Sequence, residues 1–149
     1  MFFTWVHPNY TVMVKKSFEQ CITTGQGRFC SKLLYNVVCA LGAMKSDDES
    51  IHGDAFIHSN EFWKDVMFWL NEEGPAVTII NVAALALMAL RCAHVFDQVG
   101  VTRYLTLAWE KANALGLQTC LNPRESELVD LDYRRFRQVC FWGLCTIDT

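Results

Sequence analysis

Four histidines, seven cysteines and one arginine-rich stretch are the groups from which this 149-residue chain could assemble a reactive or ligand-holding site. None of His7, His52, His58 and His94 pairs with another at the i, i+4 spacing that sets two metal ligands on one helix face. His7, beside Pro8, reads as a local hydrogen-bonding residue, and His52 and His58, six apart next to a polar loop, read as solvated imidazoles. The cysteines Cys21, Cys30, Cys39, Cys92, Cys120, Cys140 and Cys145 are odd in number and include no CxxC pair. Zinc sites usually draw paired ligands from short loops, and small disulfide frameworks usually use an even count. Several of these residues fall in apolar helical runs, so buried, reduced thiols are expected for all seven.

Nucleophilic chemistry finds little to work with. Asp148 lies near Cys145 and Cys140, but no histidine is near in sequence and no glycine-bounded nucleophile turn appears. Gly25-Gln26-Gly27 lacks the flanking strand, the third glycine and the lysine that a phosphate loop requires. Arg134, Arg135 and Arg137 have the geometry for phosphate, yet Asp130 and Asp132 sit beside them, so salt bridging or a solvated face is the expected role. Trp5, Trp63, Trp69, Trp109 and Trp142 would suit a ligand cavity between helices, although such spacing is more often ordinary core. The expectation is therefore no catalytic residue, no metal ligand, and cofactor-binding residues left undefined.

The chain that carries these groups is unusually apolar, with 52% hydrophobic and only 19% charged residues. Its formal charge of −3 and pI near 5.8 oppose direct DNA contact, which calls for a basic surface that neutralises phosphates. The most apolar stretch, Val77 to Leu90, is interrupted by Thr78 and Asn81 and is too short to span a bilayer. The first residues, running from Met1 into Pro8, do not form a secretory signal.

Periodicity predicts helices throughout. Val14, Phe18 and Cys21 give a short helix over Val12 to Cys21, stopped by Gly25 and Gly27. Leu33, Leu34, Val37, Val38 and Leu41 share one face of a helix from Ser31, its cap, to Met44. A polar loop, Lys45 to Ser50, separates it from a broad apolar stripe between Asp54 and Glu73 that Gly74-Pro75 ends, Pro75 being suited also to open the next helix. Val77 to Phe96 is apolar nearly all round, as a central helix must be, and Gly100 is expected to close it. Tyr104 to Leu115 forms a further helix stopped by Gly116, and Glu125 to Thr149 a last one. No run alternates strictly enough for a strand, so the fold class is all-α: an irregular bundle of five to six helices.

Taken in order, these segments resemble the fungal-specific transcription factor domain, the middle homology region of fungal binuclear zinc-cluster regulators. The entry Phe2-Phe3-Thr4-Trp5-Val6-His7-Pro8, the Leu33-Leu34 and Ala40-Leu41-Gly42-Ala43 helix, and Thr78 to Met88 are similar to that family's pattern. So are Ala108, Ala112 and Leu115-Gly116-Leu117, and finally Arg134-Arg135-Phe136-Arg137 through Trp142 to Asp148. Asn81 stands where a glutamine is common, and Gln118 where a histidine often follows.

The resemblance implies the first part of a larger helical regulatory domain, 1–149, without the zinc-cluster DNA-binding module, and a role that is not enzymatic. Zinc is expected only in that absent module. Implied partners are the rest of the same transcription factor or a homodimer partner, transcriptional co-regulators and a small-molecule inducer. DNA is met only indirectly and membranes not at all, and the location is the nucleus. The rivals are a small stand-alone helical enzyme or ligand carrier and a truncated product without function. Translating the genomic DNA on both sides should reveal a basic six-cysteine segment upstream and further helical pattern downstream. Stop codons at both ends would favour a rival.

Overall fold

Helices start and stop in this chain where side chains or backbone geometry satisfy the amide and carbonyl groups that a helix end leaves unpaired. The computed structural model describes residues 13, 15–25, 30–44, 52–117 and 131–148, and all regular structure among them is helical. Among the described residues there are six helices: α1 (Lys15–Thr24), α2 (Lys32–Met44), α3 (His52–Glu73), α4 (Ile79–His94), α5 (Gln98–Leu115) and α6 (Leu131–Asp148). The lead-in with His7 and Trp5, the Lys45–Ser50 loop, Cys120 and the segment 118–130 lie outside the described residues.

The caps explain most of the boundaries. Gly25, at φ 68°, follows the end of α1. Ser31 Oγ accepts the Leu34 N–H at 3.0 Å, as the sequence suggested, and Glu73 at the far end of α3 accepts the Leu33 N–H at 3.1 Å. Two amides of the first turn of α2 are thus held by oxygens, one local and one from forty residues away. Thr78 caps α4 by accepting the Asn81 N–H at 3.2 Å. Pro75 therefore does not open α4; it lies in the turn after α3, and a threonine does the capping.

Gly100 also differs from expectation. It does not end α4 but sits in the first turn of α5, where Asp97 is the cap and accepts its N–H at 3.0 Å. Glycine is required there by close approach, since an added Cβ would lie 2.7 Å from Cys92 Sγ. α4 stops earlier, at His94, through a Schellman motif: Asp97 N–H donates to Cys92 O at 2.9 Å and Phe96 N–H to Ala93 O at 3.2 Å. The left-handed residue of this motif, φ 61°, is Phe96, a bulky side chain in glycine's usual place.

The core is organised around α4. Every residue from Ile79 to Cys92 is buried, and α4 packs against α2, α5 and α6. α3 lies on the outer side of α2, and α6 also touches α5. Leu33, Leu34, Val37 and Leu41 of α2, Val66 of α3, Ala108 and Ala112 of α5, and Phe136, Cys140 and Leu144 of α6 complete one continuous core. Small residues on α5 let its axis come close to α4. α1 is peripheral, and among its described side chains Phe18 and Cys21 are the buried ones.

Leu85 is 1% exposed at the middle of α4. Leu85→Ala should therefore cost about 2–5 kcal/mol of unfolding free energy, through lost transfer and the cavity left behind. Urea denaturation of the variant beside the wild-type chain checks this, and near-wild-type stability would contradict the central placement of α4.

Candidate functional site

A cavity of 610 Å³ opens where α1, the start of α2 and the end of α3 meet. Its wall includes Cys21, Ile22, Lys32, Tyr35, Asn36, Trp69 and Glu73. Lys32 Nζ lies 4.4 Å from the centre of the Trp69 ring, a cation–π contact, and Phe68 packs edge-on against the same ring at 5.0 Å. The helical period puts Lys32, Tyr35 and Asn36 on one face of α2. Trp69 and Glu73, four residues apart, do the same on α3. The cavity thus presents an indole, a phenol, an ammonium, an amide and a carboxylate around an open mouth. That set can hold a small polar molecule by stacking and hydrogen bonds, and it contains no activated nucleophile.

A second polar cluster lies at the junction of α3, α4 and α5. Arg91 is 4% exposed, donates to Asn60 Oδ1 at 2.6 Å, and stacks on Trp63 with its guanidinium carbon 4.3 Å from the ring centre. Trp63 meets Tyr104 edge-on at 6.3 Å, and Tyr104 Oη points its hydrogen at Met67 Sδ, 3.9 Å away. Burial lowers the Arg91 pKa from its ordinary value, but a guanidinium has range to spare and stays charged. In sequence Arg91 simply follows the apolar run that ends at Leu90. Its role follows from the aromatic face and amide that α3 supplies, which periodicity alone does not pair with it.

The structure disperses most groups singled out by type. Trp69 lines the cavity, Trp63 stacks on Arg91, Trp109 meets Phe141 edge-on at 6.2 Å, and Trp142 is exposed, so the four described tryptophans form no single aromatic pocket; Trp5 lies outside the described residues. His94 Nδ1 lies 2.8 Å from Leu90 O within its own helix. His52 and His58 fall within α3, not in a loop, and their side chains lie outside the description. Among the described residues no three His, Cys, Asp or Glu side chains come together as metal ligands. Asp148 is exposed and lines a separate groove with Val101, Thr102 and Trp109 of α5, while Cys140, two turns back, is buried against the carbonyl of Ile79 at 3.7 Å.

The arginine-rich stretch also resolves differently from expectation. Arg137 is 9% exposed and donates to the carbonyls of Leu115 and Gly116, the former at 3.2 Å. It caps the C-terminal end of α5, where carbonyls concentrate negative partial charge. Arg135 is exposed, and the Arg134 Nε is a buried donor without a hydrogen-bond partner among the described residues.

The expectation of seven reduced thiols is overturned at one pair. Cys21 and Cys30 are joined as a disulfide, with Sγ–Sγ 2.11 Å and Cα–Cα 6.0 Å. The signal available in the sequence was Gly25 between them, a left-handed residue after α1; their nine-residue spacing matches no short cysteine motif. Cys39, Cys92, Cys140 and Cys145 are not joined in a disulfide. Burial raises the Cys39 pKa, against an opposing hydrogen bond with Tyr35. Burial, then Asp97, raises Cys92 to about 11, and burial raises Cys140 to about 12.

The described residues form an all-helical domain with a cavity of small-molecule size. The sequence profile described as "Fungal specific transcription factor domain" matches residues 1–149. The chain belongs to the fungal-specific transcription factor domain family. Among curated proteins it is similar to the nitrogen assimilation transcription factor nirA of Emericella nidulans, 29% identical over 156 aligned residues. That alignment covers 99% of this chain and 17% of the relative's length. No solved structure matches the chain significantly. Among the described residues no helix is long and apolar enough to cross a membrane.

The buried thiols set a pH dependence. Folding holds Cys92 and Cys140 neutral, whereas the unfolded chain releases their protons near the ordinary thiol value of 9.0. The unfolded state then binds fewer protons, so this stability is complete below pH 9.0 and is lost as pH climbs towards 11 and 12. The fall in Tm over that interval, followed by calorimetry, should be shallower in a Cys92→Ala/Cys140→Ala variant than in the wild type. Parallel curves would refute the assignment.

Proposed function

We propose that this domain regulates transcription in the nucleus by packing against other segments of the same transcription factor, and that its cavity admits the small molecule that shifts this packing. The zinc-cluster module that would contact DNA is assigned outside this chain, and no bond chemistry is assigned within it. The length of the relative supports the first partner choice: most of such a regulator's polypeptide lies beyond a segment of this size. A second copy of the domain and transcriptional co-regulators are the further partners of this reading.

One observation carries the proposal. Phe96 is 87% exposed and holds a left-handed backbone that costs an L-residue about 1–2 kcal/mol. Within this chain the side chain recovers almost none of that by burial, and glycine would fit the motif without strain. Val99, 80% exposed, lies one turn away at the start of α5, so the two make an apolar tip at the α4–α5 junction. Aromatic side chains kept at a local cost are what an interface uses as anchors. The energy missing inside the chain is recovered when a partner covers the tip.

The cavity reading rests on the stacked Trp69 and Lys32, and small nitrogen compounds are the first ligands to try, given the relative's printed role. The central test is Phe96→Gly in a fusion of this chain to a heterologous DNA-binding domain and activator. The isolated variant should be as stable as wild type or gain up to about 1 kcal/mol, while regulation of the reporter is lost. Unchanged regulation by the variant would overturn the assignment of the tip as the regulatory interface.

A further inference from the structure

The Cys21–Cys30 bond joins the last turn of α1 to the residue two before α2 and lies in the wall of the 610 Å³ cavity. Three features make this bond consequential. α1 is ten residues long, below the length at which a helix holds itself together in water. Among its described side chains only Phe18 and Cys21 are buried, while Lys15, Lys16, Glu19, Gln20, Ile22, Thr23 and Thr24 face solvent. The turn it must close contains Gly25 in a left-handed conformation, so the return towards α2 is open to the chain with or without the covalent link. α1 is therefore attached weakly by packing and firmly by sulfur.

We infer that Cys21 and Cys30 form a redox-controlled latch that docks α1 against α2 and fixes one wall of the cavity when oxidised, and releases α1 when reduced. Nuclear and cytosolic thiols are normally kept reduced, so a bond at this position reports a change in the surrounding thiol pool. The oxidant is a small disulfide of the glutathione class. Cys30, half-buried at the cavity, attacks first as thiolate, breaking the sulfur–sulfur bond of glutathione disulfide and releasing one glutathione thiol. Cys21, 4% exposed, then displaces the second glutathione from the mixed disulfide. Two protein S–H bonds are lost and one protein S–S bond is gained. The two electrons and two protons leave with the two glutathione molecules.

The latch is tested on the complete chain incubated at high and low ratios of glutathione disulfide to glutathione, then alkylated and digested with trypsin. The oxidised sample should yield residues 17–28 linked to residues 29–32, and the reduced sample the same peptides separately alkylated. Closing so short a loop lowers the population of undocked α1 by roughly a hundredfold, and hydrogen exchange of α1 amides should slow by that factor on oxidation. Cys21→Ser and Cys30→Ser should each exchange at the reduced rate under both conditions, whereas Cys39→Ser should respond like wild type. The inference is overturned if the linked peptides never form, if they persist at a reducing ratio, or if wild-type α1 exchanges equally fast in both states. The last comparison needs no variant, so a substitution that fails to fold does not blunt the test.

Discussion

Burial of α4 on every side is the constraint from which the rest of the architecture follows. A helix apolar around its whole circumference cannot face water, and so must be enclosed by others. Here α2, α5 and α6 supply that enclosure, and α3 gains its place by covering α2. The alanines of α4 and α5 set close contacts, and the leucines of α2 and α4 fill the wider gaps. Nothing in the local sequence of α2, α5 or α6 would hold those helices in these positions without α4 between them.

Enclosing a helix so completely also encloses its polar groups, and each is answered by an element that α4 itself brings near. Asn81 Nδ2 donates to the carbonyls of Glu73 and Ala76, both at 2.7 Å, and so ties the α3–α4 turn to the first turn of α4. Arg91, at the other end, is met by Asn60 and the face of Trp63. These contacts stabilise modestly in net terms, but leaving the same groups unpaired would cost considerably more. They therefore act as register marks: α4 can slide along its neighbours only by stranding an amide or a guanidinium in the core.

Much of this was legible in the sequence because helical periodicity and capping are local. Leu33, Leu34, Val37, Val38 and Leu41 are buried as their spacing implied, Ser31 caps α2, and Gly116, at φ 65°, ends α5. The family assignment rested on the same local signals taken in order, and the profile match over 1–149 supports it. What escaped was decided by distance in space. Gly100 looks like a stop until Cys92 is seen behind it, and Arg137 looks like a surface cation until the end of α5 arrives beneath it. The Cys21–Cys30 pair and the cavity beside it depend on how the α1–α2 turn folds back, which no periodicity encodes.

The distribution of packing also determines where such a domain can move. A close-packed interior switches between discrete arrangements and resists gradual deformation, and the contacts of α4 with its neighbours and of α2 with α3 make α2, α3, α4, α5 and α6 one such unit. Shifting α4 against α3 breaks the register set by Asn81 and Arg91. Among the described side chains of α1, Phe18 and Cys21 are the buried ones and Cys21 carries the link to Cys30, and low local stability is the usual property of elements that move. The cavity has walls of both kinds, Lys32 and Trp69 on the rigid body and Cys21 and Ile22 on the loosely held helix. A molecule or a bond change there can alter the position of α1 without disturbing the core. The apolar tip at Phe96 lies on the rigid body instead, so a partner docked on it meets a fixed surface whose shape does not depend on the state of α1.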